Sequence, residues 1–144
     1  MKRMVALLLI ITSILVAGCI QNAGNKNEEN RYKDITVDEA YRMIEEHAGN
    51  SSFVIIDVRT PKEYEEGHIP GAINIDVFGR NFRKKLEELD LNKTYLVYCK
   101  TGFKSKIACE TMVRMGFRHV YNMEGGIEAW MKKGYPVVRQ PSSS

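Results

Sequence analysis

Hydrophobic positions in this chain follow two periods in alternation. Residues 95–98 (Y-L-V-Y) are an unbroken apolar and aromatic run that stops at Cys99, the pattern of a buried strand. From Ser105 onward Ala108, Met112 and Met115 recur at helical spacing, widened by Cys109 and Val113, and Gly116 is placed to end the helix. Residues 53–58 form a second apolar run broken only by Asp57, as expected for a central strand covered on both faces. Shorter apolar stretches at 32–35, 72–75 and 120–122 predict an edge strand and two further strands, the second of the three reached through the Ile69-Pro70-Gly71 turn.

Helices fill the intervals. Thr36-Val37-Asp38-Glu39 is a capping box opening a helix with the stripe Val37, Ala40, Tyr41, Ile44 and Ala48. Thr60-Pro61-Lys62-Glu63 reads as a second box, with proline at the first helical position and Gly67 closing a short helix. Phe82, Leu86 and Leu89 mark another, on which Arg83, Lys84, Lys85, Glu87 and Glu88 form a solvated face. After the turn Glu124-Gly125-Gly126, Ile127, Trp130 and Met131 mark the last, ended by Gly134. This alternation predicts an α/β fold with a mainly parallel central sheet and helices on both faces.

In such sheets the ligand site lies beyond the carboxyl ends of the strands, where the pattern places Cys99. The Gly102-containing loop after it leads into a helix, and a helix N-terminus offers unpaired N–H groups and about half a positive charge. Both favour thiolate over thiol. An ordinary cysteine is only about 3% ionised at pH 7, so a lowered pKa would convert Cys99 into a nucleophile. Lys100 and Lys104 flank it and either meet an anionic substrate or point to solvent. Cys109 falls on the apolar side of its helix and reads as core packing. Asp57 and Arg59 stand at a strand end and His68 in a turn; each is a candidate for the site's edge, although such residues more often cap helices or form ion pairs. His47 and His119 are isolated and expected to be exposed. No Cys/His cluster has metal-ligand spacing, and no cofactor is called for.

The chain has 144 residues, 44% hydrophobic, with a net charge of +3, enough for one domain with a real core. Without Lys2 and Arg3 the balance is 19 basic to 18 acidic residues, which does not suggest nucleic acid. Residues 1–18 carry a basic start and an apolar run too short to span a bilayer, and read as a secretory signal. The segment L-V-A-G-C that ends this stretch resembles the lipobox of prokaryotic lipoproteins, which implies lipidation at Cys19 and a domain held at a membrane on the extracytoplasmic side. Residues 19–31 are polar and aperiodic, a flexible tether with a reach of roughly 20 Å. A folded domain over 32–138 and a disordered tail over 139–144 complete the expected organisation.

Four segments together carry a wider resemblance: I-I-D-V-R at 55–59, E-Y-E-E-G-H-I-P-G-A-I-N at 63–74, V-Y-C-K-T-G-F-K-S at 97–105 and G-G-I-E-A-W-M-K-K-G-Y-P-V at 125–137. In this order the chain resembles a single rhodanese domain. The resemblance implies sulfurtransferase chemistry, with Cys99 forming a persulfide and the N–H groups of Lys100, Thr101, Gly102, Phe103, Lys104 and Ser105 forming its cradle. It also implies a small anionic sulfur donor such as thiosulfate and a cyanide or thiol acceptor, which a partner protein can present. A related branch of the fold, the cysteine phosphatases and arsenate reductases, resembles C-x5-R; here Ser105 stands in the arginine's place. The alternative from another class is a membrane-tethered persulfide carrier or sulfur-sensing module with little turnover.

Overall fold

The computed structural model of the protein describes residues 31–140. The leader 1–18, Cys19, the tether up to residue 30 and residues 141–144 lie outside the described residues. Five strands, β1 (Lys33–Ile35), β2 (Phe53–Asp57), β3 (Ile73–Asn74), β4 (Thr94–Tyr98) and β5 (His119–Met123), pair in the order β1-β5-β4-β2-β3. Every pairing is parallel, with Ile55 opposite Leu96 and Val97 opposite Asn122. The helices are α1 (Val37–Glu46), α2 (Pro61–Glu66), α3 (Phe82–Glu87), α4 (Phe103–Arg114) and α5 (Gly126–Lys132).

The two faces of the sheet follow from the pleat. Along β4 and its continuation, Tyr95, Val97 and Cys99 enter one core, where Leu86 of α3 and Ala108, Cys109 and Met112 of α4 cover them. Leu96 and Tyr98 enter the other, against Val37 and Ala40 of α1 and Ile127 and Trp130 of α5. A strand buried on both sides must be apolar throughout, which is why 95–98 shows no alternation. β4 is the middle strand, β2 lies beside it, and β1 is an edge as expected.

One local expectation holds in full and several others are corrected. The box at α1 forms reciprocally: Thr36 Oγ1 accepts the Glu39 N–H (3.1 Å) and Glu39 Oε2 accepts the Thr36 N–H (2.8 Å). At α2 only half of it forms, because Glu63 Oε1 accepts from the Thr60 hydroxyl (3.2 Å) and not from the backbone. α1 ends at Glu46, so Ala48 lies beyond its stripe and is exposed. His47 is half-buried: its ring stacks on Phe53, with centroids 4.8 Å apart, and its Nδ1–H donates to Met43 O (2.7 Å). Met131 is 51% exposed because the adjacent Trp130 takes the inward direction of α5. α4 begins at Phe103, two residues before Ser105, since Phe103 and Lys104 face outward and leave no apolar period to read.

Candidate active site

Cys99 is the first residue after β4, and its side chain continues the inward face of that strand into the N-terminal turn of α4. Between them Gly102, with φ of 100°, occupies the N-cap position; this left-handed conformation turns the loop back over the sulfur. Cys99 Sγ accepts the Gly102 N–H at 3.1 Å, and the thiol lies 3.3 Å from Ser105 Oγ, to which it donates. The Ser105 hydroxyl in turn donates to Gly102 O (3.1 Å). Cys99 is 1% exposed and Ser105 is fully buried, so these bonds form out of water.

Two opposing effects act on the thiol. Burial pushes its pKa up, and against it act the Ser105 hydroxyl and the backbone N–H groups of Ser105, Gly102 and Thr101. The hydrogen bonds win, and the thiol lies below its ordinary value. Cys109 shows what burial does without such donors: desolvation, with Asp34 nearby, pushes its thiol far up. One thiol is thus biased toward ionisation and the other toward its protonated form.

Around the loop, Lys100 and Lys104 are exposed. The Lys104 ammonium sits 5.4 Å from the centroid of Phe78, a 67% exposed ring in the segment between β3 and α3. Cation–π contacts of this exposed kind contribute about 0.5–1 kcal/mol. Phe103 is 72% exposed. A cleft of about 280 Å³ lined by Thr101, Gly102, Phe103, Lys106, Glu124 and Gly125 adjoins the loop. Larger depressions of about 530 and 670 Å³ lie beside Tyr32 and Arg114 and beside Arg59 and Arg139, and neither is lined by the Cys99 loop.

This order of elements around a cysteine loop has counterparts elsewhere. The profile of the rhodanese-like domain matches residues 36–133. The chain belongs to the rhodanese-like domain family. It is 34% identical over 99 residues to the thiosulfate sulfurtransferase GlpE of Coxiella burnetii, covering 69% of this chain and 87% of that protein. To a sulfurtransferase of Allochromatium vinosum it is 32% identical over 91 residues, covering 63% of this chain and 83% of that one. A crystal structure of a rhodanese-related protein from Thermoplasma volcanium matches with a TM-score of 0.63 at 34% identity, covering 74% of this chain and 98% of that one. Family and relatives together support a single-domain rhodanese-like sulfurtransferase.

Within the rhodanese-like frame, Asp57, Arg59 and His68 make bonds that lead away from the sulfur. Asp57 is fully buried and pairs with Arg59, Oδ2 to Nη2 at 2.7 Å, while the same Nη2 donates to Gly67 O (2.6 Å). Asn74 Nδ2 donates to the carbonyls of Asp57 (3.0 Å) and Arg59 (2.9 Å). These bonds tie the end of β2 to the segment after α2 and to β3. His68 stacks on Tyr64 at 3.7 Å, donates from Nδ1 to Tyr64 O (2.7 Å), and exchanges backbone hydrogen bonds with Val138. None of these partners belongs to the Cys99 loop.

Sequence reasoning included Ser105 for its backbone N–H and missed its hydroxyl, although a serine six residues after the candidate cysteine was a visible signal. It also missed Phe78, for which an aromatic residue directly before Gly79 in the turn D-V-F-G-R was the available clue. The Gly125-Gly126 turn was visible, but its bearing on Cys99 was not.

Proposed function

We propose that this protein moves a sulfane sulfur from a small anionic donor such as thiosulfate to a cyanide or thiol acceptor through a persulfide on Cys99. The observation that carries the proposal is the buried sulfur held by the Gly102 N–H at 3.1 Å and the Ser105 hydroxyl at 3.3 Å. In the first half-reaction the Cys99 thiolate attacks the outer sulfur of thiosulfate. A new S–S bond forms, the donor's S–S bond breaks, and sulfite leaves with the bonding electron pair. The charge passes to the outer persulfide sulfur. In the second half-reaction cyanide or a thiolate attacks that sulfur, the S–S bond to Cys99 breaks, and the Cys99 thiolate returns.

This is covalent ping-pong catalysis in which the surroundings lower the pKa of the nucleophile, so that the reaction calls for no separate base. The converging N–H groups serve negative sulfur in both states, as an anion nest does. A residue only 1% exposed leaves little room beside its sulfur, which favours a small donor over a bulky one. Ser105 occupies the place at which a phosphatase-type loop needs an arginine fork, which disfavours oxyanion hydrolysis. The sequence L-V-A-G-C supports the further proposal that Cys19 is lipidated and holds the domain at a prokaryotic membrane on its extracytoplasmic side.

The exposed Phe78 and Phe103 favour an acceptor thiol presented by another protein, the setting in which a carrier with little turnover would also work. Intact mass before and after thiosulfate tests the chemistry: one sulfur gained, located on Cys99 and absent in Cys99→Ser, is the expected result. A sulfur found elsewhere, or none, overturns it. Steady turnover with cyanide, as against a stop after one equivalent, separates enzyme from carrier.

A further inference from the structure

We propose that the Gly125-Gly126 turn and the first amides of α5 are a positioning element for the Cys99 loop: they take the loop's carbonyls outward and thereby leave its N–H groups to face the sulfur. The Ile127 N–H donates to Cys99 O at 2.9 Å, and the Glu128 N–H donates to Lys100 O at 3.1 Å. Both acceptors lie in the loop that holds the nucleophile. The peptide bonds are trans, so the C=O and N–H of each unit point in opposite directions. Fixing Lys100 O on α5 therefore turns the Thr101 N–H the other way, and that N–H is among the backbone groups that lower the Cys99 pKa, beside the Gly102 N–H bonded to the sulfur at 3.1 Å.

The arrangement answers two needs at once. The first N–H groups of a helix have no partners within it, and the loop's carbonyls supply them. Carbonyl oxygens turned toward the sulfur would repel a thiolate, and α5 removes two of them from that side.

This approach requires glycine at 126. A Cβ there would lie 2.3 Å from Lys100 O and 2.5 Å from Cys99 O, well inside any tolerated contact, and φ is +59°. The obstruction falls on the backbone of the loop itself, so a side chain at 126 must displace either α5 or the peptide units that aim at Cys99. Gly134, at the other end of α5, also has a positive φ of 76°, but a Cβ there would meet nothing within 4 Å. It supplies the comparison: a similar backbone strain that does not press on the loop.

The inference rests on Cys99 as the proposed nucleophile, but its test reads ionisation and needs no turnover. In the full chain, the pH dependence of iodoacetamide modification is followed on the Cys99 peptide by mass spectrometry. Gly126→Ala is expected to raise the Cys99 midpoint by at least about one pH unit, a tenfold loss of thiolate below it. Gly134→Ala, which strains only the far end of α5, is expected to move the midpoint by clearly less than Gly126→Ala while also lowering the melting temperature. Equal shifts in the two variants, or none in a folded Gly126→Ala protein, would overturn the proposal.

Should Gly126→Ala fail to fold, the wild-type full chain in detergent micelles gives a second test. The Ile127 and Glu128 amide proton resonances are expected to move with the Cys99 titration, because charge on sulfur polarises the peptide units they bind, and to lose that inflection in Cys99→Ser. Flat resonances across the wild-type titration would refute the coupling.

Discussion

Replacing Ser105 with alanine isolates the side-chain part of the Cys99 cradle. In the thiol form the Ser105 hydroxyl accepts from Cys99 at 3.3 Å and donates to Gly102 O at 3.1 Å. When the thiol ionises it has no proton to donate, so the hydroxyl proton must turn from the carbonyl to the sulfur for the bond to survive. A hydrogen bond to a charged acceptor contributes about 1.5–3 kcal/mol, and the neutral bond given up offsets about 0.5–1.5 kcal/mol. The difference, about 1.2 kcal/mol at the middle of the two ranges, corresponds to roughly one pH unit. Both residues are buried, so screening by water does not reduce it further. Ser105→Ala is therefore expected to raise the Cys99 midpoint by about one unit while the backbone donors hold it from rising further.

The sign extends to stability. The folded thiol lies below its ordinary value of 9.0, so ionisation favours the folded state. That contribution is complete above the ordinary value and is lost as pH falls through the folded one. Ser105→Ala should narrow this window from its acid side. The assay is the pH dependence of alkylation on the Cys99 peptide, with denaturant melts across the same range. An unchanged midpoint in a folded Ser105→Ala protein would show that the backbone amides act alone and refute this account of the hydroxyl.

Other perturbations separate the remaining roles. Cys109→Ala should retain sulfur transfer and lose about 1–2 kcal/mol of stability in denaturant melts, since its buried thiol packs in the α4 core and does not react. Asp57→Ala should cost about 3–5 kcal/mol, because it leaves the Arg59 charge buried without its 2.7 Å partner. The Lys100→Ala, Lys104→Ala double variant should lose about fivefold in kcat/KM for thiosulfate, with a weaker ionic-strength dependence and a smaller change for an uncharged donor. Equal losses for both donors would mean that the lysines shape the loop without selecting its substrate. Cys19→Ala should leave an unprocessed precursor without lipid, checked by fractionation and N-terminal mass; a wild-type protein found soluble with an unmodified N-terminus would count against the anchor.

What was legible in the sequence is what side-chain periodicity records. The β4 run, the change of period after Cys99 and the stripe Ala108, Cys109, Met112 are each produced by burial, and burial leaves a hydrophobic trace. They sufficed to put the cysteine at the carboxyl end of a central parallel strand. Contacts that carry no such trace were lost. The start of α4 was hidden because Phe103 and Lys104 face water, and Met131 was misplaced because one bulky neighbour, Trp130, satisfies the inward direction alone. The bonds from Ile127 and Glu128 to the Cys99 loop join backbone atoms far apart in sequence, and no residue pattern encodes them except the two glycines that permit the approach.

Those backbone bonds are only as rigid as the seat of α5, and that seat lies on the face of the sheet opposite α4. Trp130 is 1% exposed in the second core and its Nε1–H donates to Pro136 O at 2.9 Å, fixing the segment that follows α5. Tyr135 in that segment stacks on Tyr41 of α1 with centroids 4.3 Å apart, and its hydroxyl donates to Asp38 in the first turn of the same helix. A second donor, Lys133 Nζ, reaches Asp38 at 3.0 Å. The chain of contacts thus runs from α1 through the aromatic cluster to α5, and from the amides of α5 across the sheet's carboxyl edge to the carbonyls of Cys99 and Lys100. Loosening the aromatic cluster should therefore cost more than core stability. It should also release the peptide units that lower the Cys99 pKa, so the ionisation of a cysteine packed under α4 depends on the packing of helices on the other side of the sheet.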